Sequence, residues 1–253
     1  MKRTHGKRPL KTLERAISKA GIGSRTEARR WIAEGRVRVN GRVIRTPDYW
    51  VDVEHDKVAL DGRPVRRGQN KYLLLYKPAG YVTTYRDPQK RPTVYDLISD
   101  TKEWIFPVGR LDMDTSGLLL MTNDSQFAER ITNPIYKVPK TYLVKTATRL
   151  TEEQLETLRR GVVLSDGVTK PAQVKRLRDS ASKTFFEITI TEGRNKQIRR
   201  MVEALGSRVI KLVRTAIGPL TIGSLQIGHY RLLTSSEVAA LQACTSERPT
   251  ARR

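Results

Sequence analysis

The segment Phe106-Pro-Val-Gly-Arg-Leu-Asp-Met-Asp-Thr-Ser-Gly-Leu-Leu-Leu-Met-Thr122 limits the possible folds of this chain more than any other. A turn holding Arg110, Asp112 and Asp114 is pressed between two apolar stretches, Phe106 to Val108 and Leu118 to Met121. Leu-Leu-Leu-Met reads as a buried strand. The turn before it is then held by a rigid element, where a reactive carboxylate is best placed. An ordinary Gly/Asp/Ser turn has the same composition, so the rest of the chain must decide between the two.

Charge is the next constraint. Among 253 residues, 48 Lys and Arg face 26 Asp and Glu, a formal net charge of +22. Such an excess costs self-repulsion in the folded state unless a polyanion relieves it, and nucleic acid is the obvious partner. No apolar run approaches the roughly 20 residues of a membrane-spanning helix, so no membrane partner is expected. The basic start, Met1 to Leu10, lacks the apolar stretch of a signal peptide. A single cysteine, Cys244, allows no internal disulfide and suits a reducing cytoplasm. His5, His55 and His229 are scattered and give no metal-ligand spacing, so no metal site is expected.

Two units follow from the pattern. Residues 1–9 and 245–253 read as polar, disordered tails, 10–69 as a small unit with its linker, and 70–244 as a larger one. In the small unit, Leu13, Ile17 and Ala20 share one face of a short helix that Gly21 stops. Ser24-Arg-Thr-Glu27 is a capping box opening a second helix, with Ala28, Trp31 and Ile32 inward and Arg25, Arg29 and Arg30 solvated. Arg36-Val-Arg-Val-Asn-Gly-Arg-Val-Ile44 reads as a hairpin about Asn40-Gly41, valines on one side and Arg36, Arg38 and Arg42 mostly on the other. Residues 1–68 carry +10 and the other 185 carry +12, so charge is denser at the front.

Ile22-Gly-Ser-Arg-Thr-Glu-Ala-Arg29 and Val37-Arg-Val-Asn-Gly41, set in two helices and an Arg-rich hairpin, resemble the S4 RNA-binding domain over roughly residues 10–57. The resemblance implies RNA contacts by Arg25, Arg29, Arg30, Arg36 and Arg38. In the larger unit, strands are expected at Tyr72–Tyr76, Leu118–Thr122, Thr141–Lys145, Phe185–Thr191 and Arg208–Val213, and a helix from Thr151-Glu-Glu-Gln154 to Gly161. There is no regular βαβ alternation and no glycine-rich phosphate loop. The fold class expected is α+β, with a mixed, mostly antiparallel sheet flanked by helices.

Gly109-Arg-Leu-Asp112 and the strand after it resemble the signature loop of pseudouridine synthases, most closely the RsuA-type family acting on ribosomal RNA. Leu75-Tyr-Lys-Pro-Ala-Gly80, Pro139-Lys-Thr-Tyr-Leu-Val-Lys145, Glu192-Gly-Arg-Asn-Lys-Gln-Ile-Arg-Arg-Met201 and Leu212-Val-Arg-Thr-Ala-Ile-Gly-Pro-Leu220 fit the same family. The resemblance implies that Asp112 is the catalytic carboxylate, that Tyr142 stacks on the uracil, and that Arg110 fills the gap left by a flipped-out uridine. Whether Asp112 attacks C1′, adds to the base or removes a ribose proton stays open. No cofactor or metal is implied.

On the helix after Arg194, Ile198, Met201, Val202 and Leu205 form the buried stripe. Arg199 lies at its edge and is expected to reach Asp112, while Lys196 and Arg200 are expected to hold phosphates and Arg194 to bind substrate beside them. Asp114 is expected to cap backbone N–H groups. Details such as Met113-Asp-Thr-Ser116 favour the family's large-subunit members over its small-subunit one. The expected partner is ribosomal RNA or an immature ribosomal subunit, met by a monomer in the cytoplasm. Two competitors remain: a non-catalytic S4-type assembly factor, whose Gly-Arg-Leu-Asp loop would be damaged, and an RNA-cleaving or glycosidic enzyme using Asp112 and Asp114 together.

Overall fold

The computed structural model describes residues 10–66, 68–101 and 103–245, so the tails expected at 1–9 and 246–253 lie outside the described residues. Thr245, expected to open the second tail, is buried, and its hydroxyl donates to the Gln242 carbonyl at 2.8 Å just past the Ser235–Ala243 helix. The chain divides into two compact units. The first runs through Lys71 and takes in Asp100–Phe106 and Asn123–Ser125; the second holds Tyr72–Ser99, Pro107–Thr122 and the residues from Gln126 onward.

In the first unit the helices Leu13–Lys19 and Arg25–Ala33 form as their apolar spacing requires. Leu13, Ile17, Ala28 and Ile32 are fully buried with Val37, Val39 and Val51. Ser24 and Glu27 complete the capping box in both directions. Asn40 and Gly41 take φ of 51° and 82°, the positive values a two-residue hairpin turn needs. The hairpin differs in one respect: Val37 and Val39 point inward, whereas Val43, paired to Arg38, is exposed. Within the segment read as a linker, Arg63–Pro64 adds an edge strand to Val58–Leu60.

The second unit is built on a nine-stranded mixed sheet. Its main path runs Gln173–Asp179, Thr184–Ile190, Lys140–Thr146, Val209–Ile217, Ser116–Thr122, Tyr72–Lys77, Tyr230–Leu232. Neighbours on this path are antiparallel except Ser116–Thr122 and Val209–Ile217, which run parallel. Ser116–Thr122 is buried at every position, as its apolar run requires. The helices Glu152–Arg160 and Gln197–Glu203 cover one face, packing Leu155, Leu158, Ile198, Met201 and Val202 against Val144, Phe186, Ile188 and Leu212. Each such buried side chain contributes roughly 1.5–3 kcal/mol.

Candidate active site

The loop Gly109–Thr115 is anchored by its backbone. Leu111 is buried, its N–H donating to the Thr83 hydroxyl at 3.3 Å and its carbonyl accepting from that hydroxyl at 2.7 Å. Beneath the loop lies Lys77, fully buried at the end of the Tyr72–Lys77 strand. Its ammonium donates to the carbonyls of Pro78 (3.0 Å), Asp112 (3.0 Å) and Thr115 (2.8 Å). Burial pushes this ammonium down to about 8; Asp114 and Asp112 oppose the shift and Arg214 adds to it. The Asp112 backbone is thus fixed while its half-buried carboxylate accepts no hydrogen bond and joins no ion pair among the described residues.

Asp112 lines a cleft of about 500 Å³ with Arg110, Tyr142, Lys140, Lys196 and Arg214. A volume of this order suits a nucleotide-sized ligand. Tyr142 and Arg214 are cross-strand partners, and Lys140 lies two residues before Tyr142 on the same strand. Across the parallel pair, Arg214 is set against Gly117, and a Cβ at Gly117 would fall 2.3 Å from the Arg214 carbonyl oxygen. Only glycine lets the two backbones approach so closely.

Arg199 does not make the contact expected of it. At the edge of its helix stripe, as the spacing indicates, it bridges the Asp114 carboxylate at 3.0 Å and also reaches the Asp114 carbonyl and the Thr115 hydroxyl. The expectation that it pairs with Asp112, and that Asp114 caps backbone amides, is corrected accordingly: the exposed carboxylate of Asp114 takes the guanidinium. Arg194 and Arg200 are also engaged. Both meet Asp166, Arg194 adds the carbonyls of Gly167 and Val168, and the hydrogen bond from Arg200 holds the Asp166 carboxyl down to about 2. Arg194 still lines the cleft, and Lys196 does so with an exposed side chain. The sequence offers Lys140, with Lys145, only as a basic neighbour that favours an anionic ligand beside Tyr142, and gives Arg214 no role. The visible signal was the Arg within Leu212-Val-Arg-Thr-Ala-Ile and the Lys two places before Tyr142, which resemble any strand cation until the fold aligns them.

In the first unit the arginines expected to be solvated on the helix are exposed and also paired. Arg25 and Arg29 both bind Glu14, a buried carboxylate that their hydrogen bonds, that of Arg29 foremost, hold below the usual glutamate range. Arg36 forks onto Asp61 and reaches Glu34, Arg30 lies 3.7 Å from Glu34, and Arg38 donates to the Gly41 carbonyl. Each keeps an exposed guanidinium edge. Asp52, Glu54 and His55 bring their ligand atoms within 4.8 Å of one another. Asp52 there accepts from the Glu54 N–H and meets the His55 ring, so the cluster is a hydrogen-bonded turn. Among the described residues, no helix is long and apolar enough to cross a membrane.

A small basic helix–hairpin unit, and a mixed sheet whose cleft sets an unpaired aspartate among cations, have the make-up of an RNA-binding enzyme. The family model described as RNA pseudouridylate synthase matches residues 71–204, and that of the S4 domain matches 12–58. An uncharacterized RNA pseudouridine synthase of Aquifex aeolicus is 41% identical over 230 residues, 90% of this chain and 92% of that protein. Ribosomal large subunit pseudouridine synthase B of Bacillus subtilis is 41% identical over 236 residues, 92% of this chain and 96% of that one. A crystal structure of a pseudouridylate synthase superposes with a TM-score of 0.65 at 32% identity, covering 91% of this chain and 99% of the other. The chain belongs to the RNA pseudouridine synthases, isomerases that here carry an S4 domain in front.

Proposed function

We propose that this enzyme isomerises a uridine of ribosomal RNA, of the large subunit in preference to the small, with Asp112 as the reacting carboxylate. The observation that carries this reading is the Asp112 side chain: its backbone is clamped by Lys77, its carboxylate is left without a protein partner, and Tyr142 shares its cleft. Uracil must leave ribose C1′, turn, and rejoin through C5 with loss of the C5 proton. A carboxylate meets the electron-poor C1′, by attack or by taking a ribose proton. Tyr142 stacks on the extruded base and Arg110, exposed at the mouth, fills the stack behind it. Arg194 and Arg200 are already bonded to Asp166, so phosphate contact at the rim falls first to Lys196. The S4 unit anchors structured RNA through the exposed edges of Arg25, Arg29, Arg30, Arg36 and Arg38.

The large-subunit preference is supported by the Bacillus subtilis relative. A two-acid hydrolase is disfavoured because the Asp114 carboxylate is held by Arg199. Tritium release from transcripts carrying [5-³H]uridine tests the reading. Wild type releases tritium from large-subunit RNA and Asp112→Asn does not. Release from small-subunit RNA alone would overturn the target, and no release from any ribosomal RNA would overturn the chemistry.

A further inference from the structure

Two cations in the cleft have no use in the chemistry described so far. Arg214 is 4% exposed. Its Nε donates to the Leu118 carbonyl at 2.7 Å, and its Nη2 is buried with no hydrogen-bond partner. Buried polar atoms are nearly always paired, and one left unpaired in a cleft marks a place awaiting a ligand. Lys140 is half-buried, and its ammonium meets no acceptor among the described residues. Burial and the neighbouring Arg214 push it down to about 8. The acids lining the cleft do not neutralise the pair: Glu192 is taken by Arg194, Gln197 and the Lys170 N–H, and Asp112 bridges neither cation.

The register says what the ligand is. Arg214 sits directly across from Tyr142, and Lys140 flanks Tyr142 two residues earlier, all three lining one cleft. Directly opposed side chains on one sheet face lie about 5 Å apart. A pyrimidine stacked on the Tyr142 ring therefore presents its edge, with the carbonyl oxygens, to the two cations. We propose that Lys140 and Arg214 form an oxyanion site for uracil itself, holding the negative charge it takes when its bond to C1′ breaks.

This rests on the reading of Asp112 and Tyr142 above. The electron pair of the C1′–N1 bond leaves with uracil and spreads over N1, O2, C5 and O4. The deficiency at C1′ is met by Asp112, either by direct attack or by removal of a ribose proton. C5 then supplies the pair for the new bond to C1′ as the bond from C1′ to the Asp112 oxygen breaks or the ribose proton returns from Asp112. The C5 proton is lost to water and N1 gains one from it, so no oxidant or reductant is consumed. Preorganised donors aimed at a developing oxyanion act chiefly on the rate of bond breaking, and losing one costs about 10²–10³-fold.

The test is single-turnover cleavage by the full-length protein of two ribosomal transcripts, one with uridine and one with 5-fluorouridine at the target, alongside RNA affinity. Fluorine makes uracil a weaker base and a better leaving group, so an anion-stabilising pair matters less to it. Lys140→Met is expected to slow the uridine transcript about 100-fold while its affinity shifts less than about threefold. With the 5-fluorouridine transcript the deficit shrinks by about tenfold or more. Arg214→Lys follows the same pattern; if it does not fold, Lys140→Met decides alone. Equal deficits on both transcripts overturn the proposal, as does a loss confined to affinity, which would make the pair a phosphate holder. Failure of wild type on both transcripts would instead sink the parent reading.

Discussion

The ammonium of Lys77 donates to the backbone carbonyl of Asp112 at 3.0 Å and leaves the carboxylate of that residue untouched. One buried cation thus sets the position of the Asp112 side chain through its main chain, with the Thr115 carbonyl held at the other end of the same loop. Lys77→Met keeps the volume but strips those carbonyls of a donor. Buried groups left unpaired cost about 1–3 kcal/mol, and a loop free to shift by an ångström costs about 10² in rate. Denaturant unfolding and kcat are both expected to fall by these amounts. An unchanged kcat in the folded variant would remove Lys77 from the positioning of Asp112.

The two acids of the loop divide by partner. Asp112 has none, and Asp114 holds Arg199 at 3.0 Å. Asp112→Asn is therefore expected to abolish tritium release while RNA affinity changes less than about threefold, since a neutral amide cannot meet an electron-poor C1′. Asp114→Asn weakens a half-exposed pair worth about 1 kcal/mol, so activity falls less than about tenfold. Equal loss in both variants would restore the two-acid chemistry.

In the first unit, Glu14 is 1% exposed and faces Arg25 and Arg29. Its folded-state proton affinity lies below the ordinary glutamate value of 4.5. The stabilisation is therefore complete above pH 4.5 and lost as pH falls through the lower folded value. Acid unfolding of this unit, followed by the fluorescence of Trp31 and Trp50, is expected to begin below about pH 4.5 and to lose steepness in Glu14→Gln. Because Arg25→Ala with Arg29→Ala leaves that carboxylate buried and unpaired, the double variant loses stability as well as RNA affinity. Full stability with reduced affinity would show that Glu14 does not depend on them.

Much of this arrangement was legible because it is local. The capping boxes at Ser24 and Thr151, the Asn40-Gly41 turn and the buried Leu118–Met121 run are written within a few residues. Tyr142 and Asp112 stood out through motifs, and the structure brings them to one cleft. What the sequence hid depends on register across the sheet. Arg199 lies on the predicted stripe edge, but which of two nearby aspartates it meets is set by the path of the loop, and spacing along a helix says nothing of that. Arg214 becomes a neighbour of Tyr142, and joins Lys140 beside it, only through the bulged pairing of Lys140–Thr146 with Val209–Ile217. The edge strand Gln173–Asp179 was missed because Lys175, Arg176 and Arg178 mask its alternation.

The parallel contact of Gly117 with Arg214 yields the sharpest structural prediction. Gly117 has φ of 117°, and its missing Cβ would stand 2.3 Å from the Arg214 carbonyl oxygen and 2.4 Å from its nitrogen. Both obstacles are backbone, so no side-chain rotation relieves them, and the φ itself disfavours any L side chain. Gly117→Ala must spread the two strands, which separates the loop bearing Asp112 from the strand bearing Arg214. The expected cost is about 1–3 kcal/mol of strain together with a large loss of kcat, since both sides of the cleft move. A control at Gly41, where an added Cβ meets nothing within 4 Å but φ is 82°, isolates the backbone part. Gly41→Ala is expected to destabilise by about 1 kcal/mol and leave kcat unchanged. If Gly117→Ala matched the Gly41 variant in both stability and kcat, the close approach at Arg214 would not be what positions the cleft.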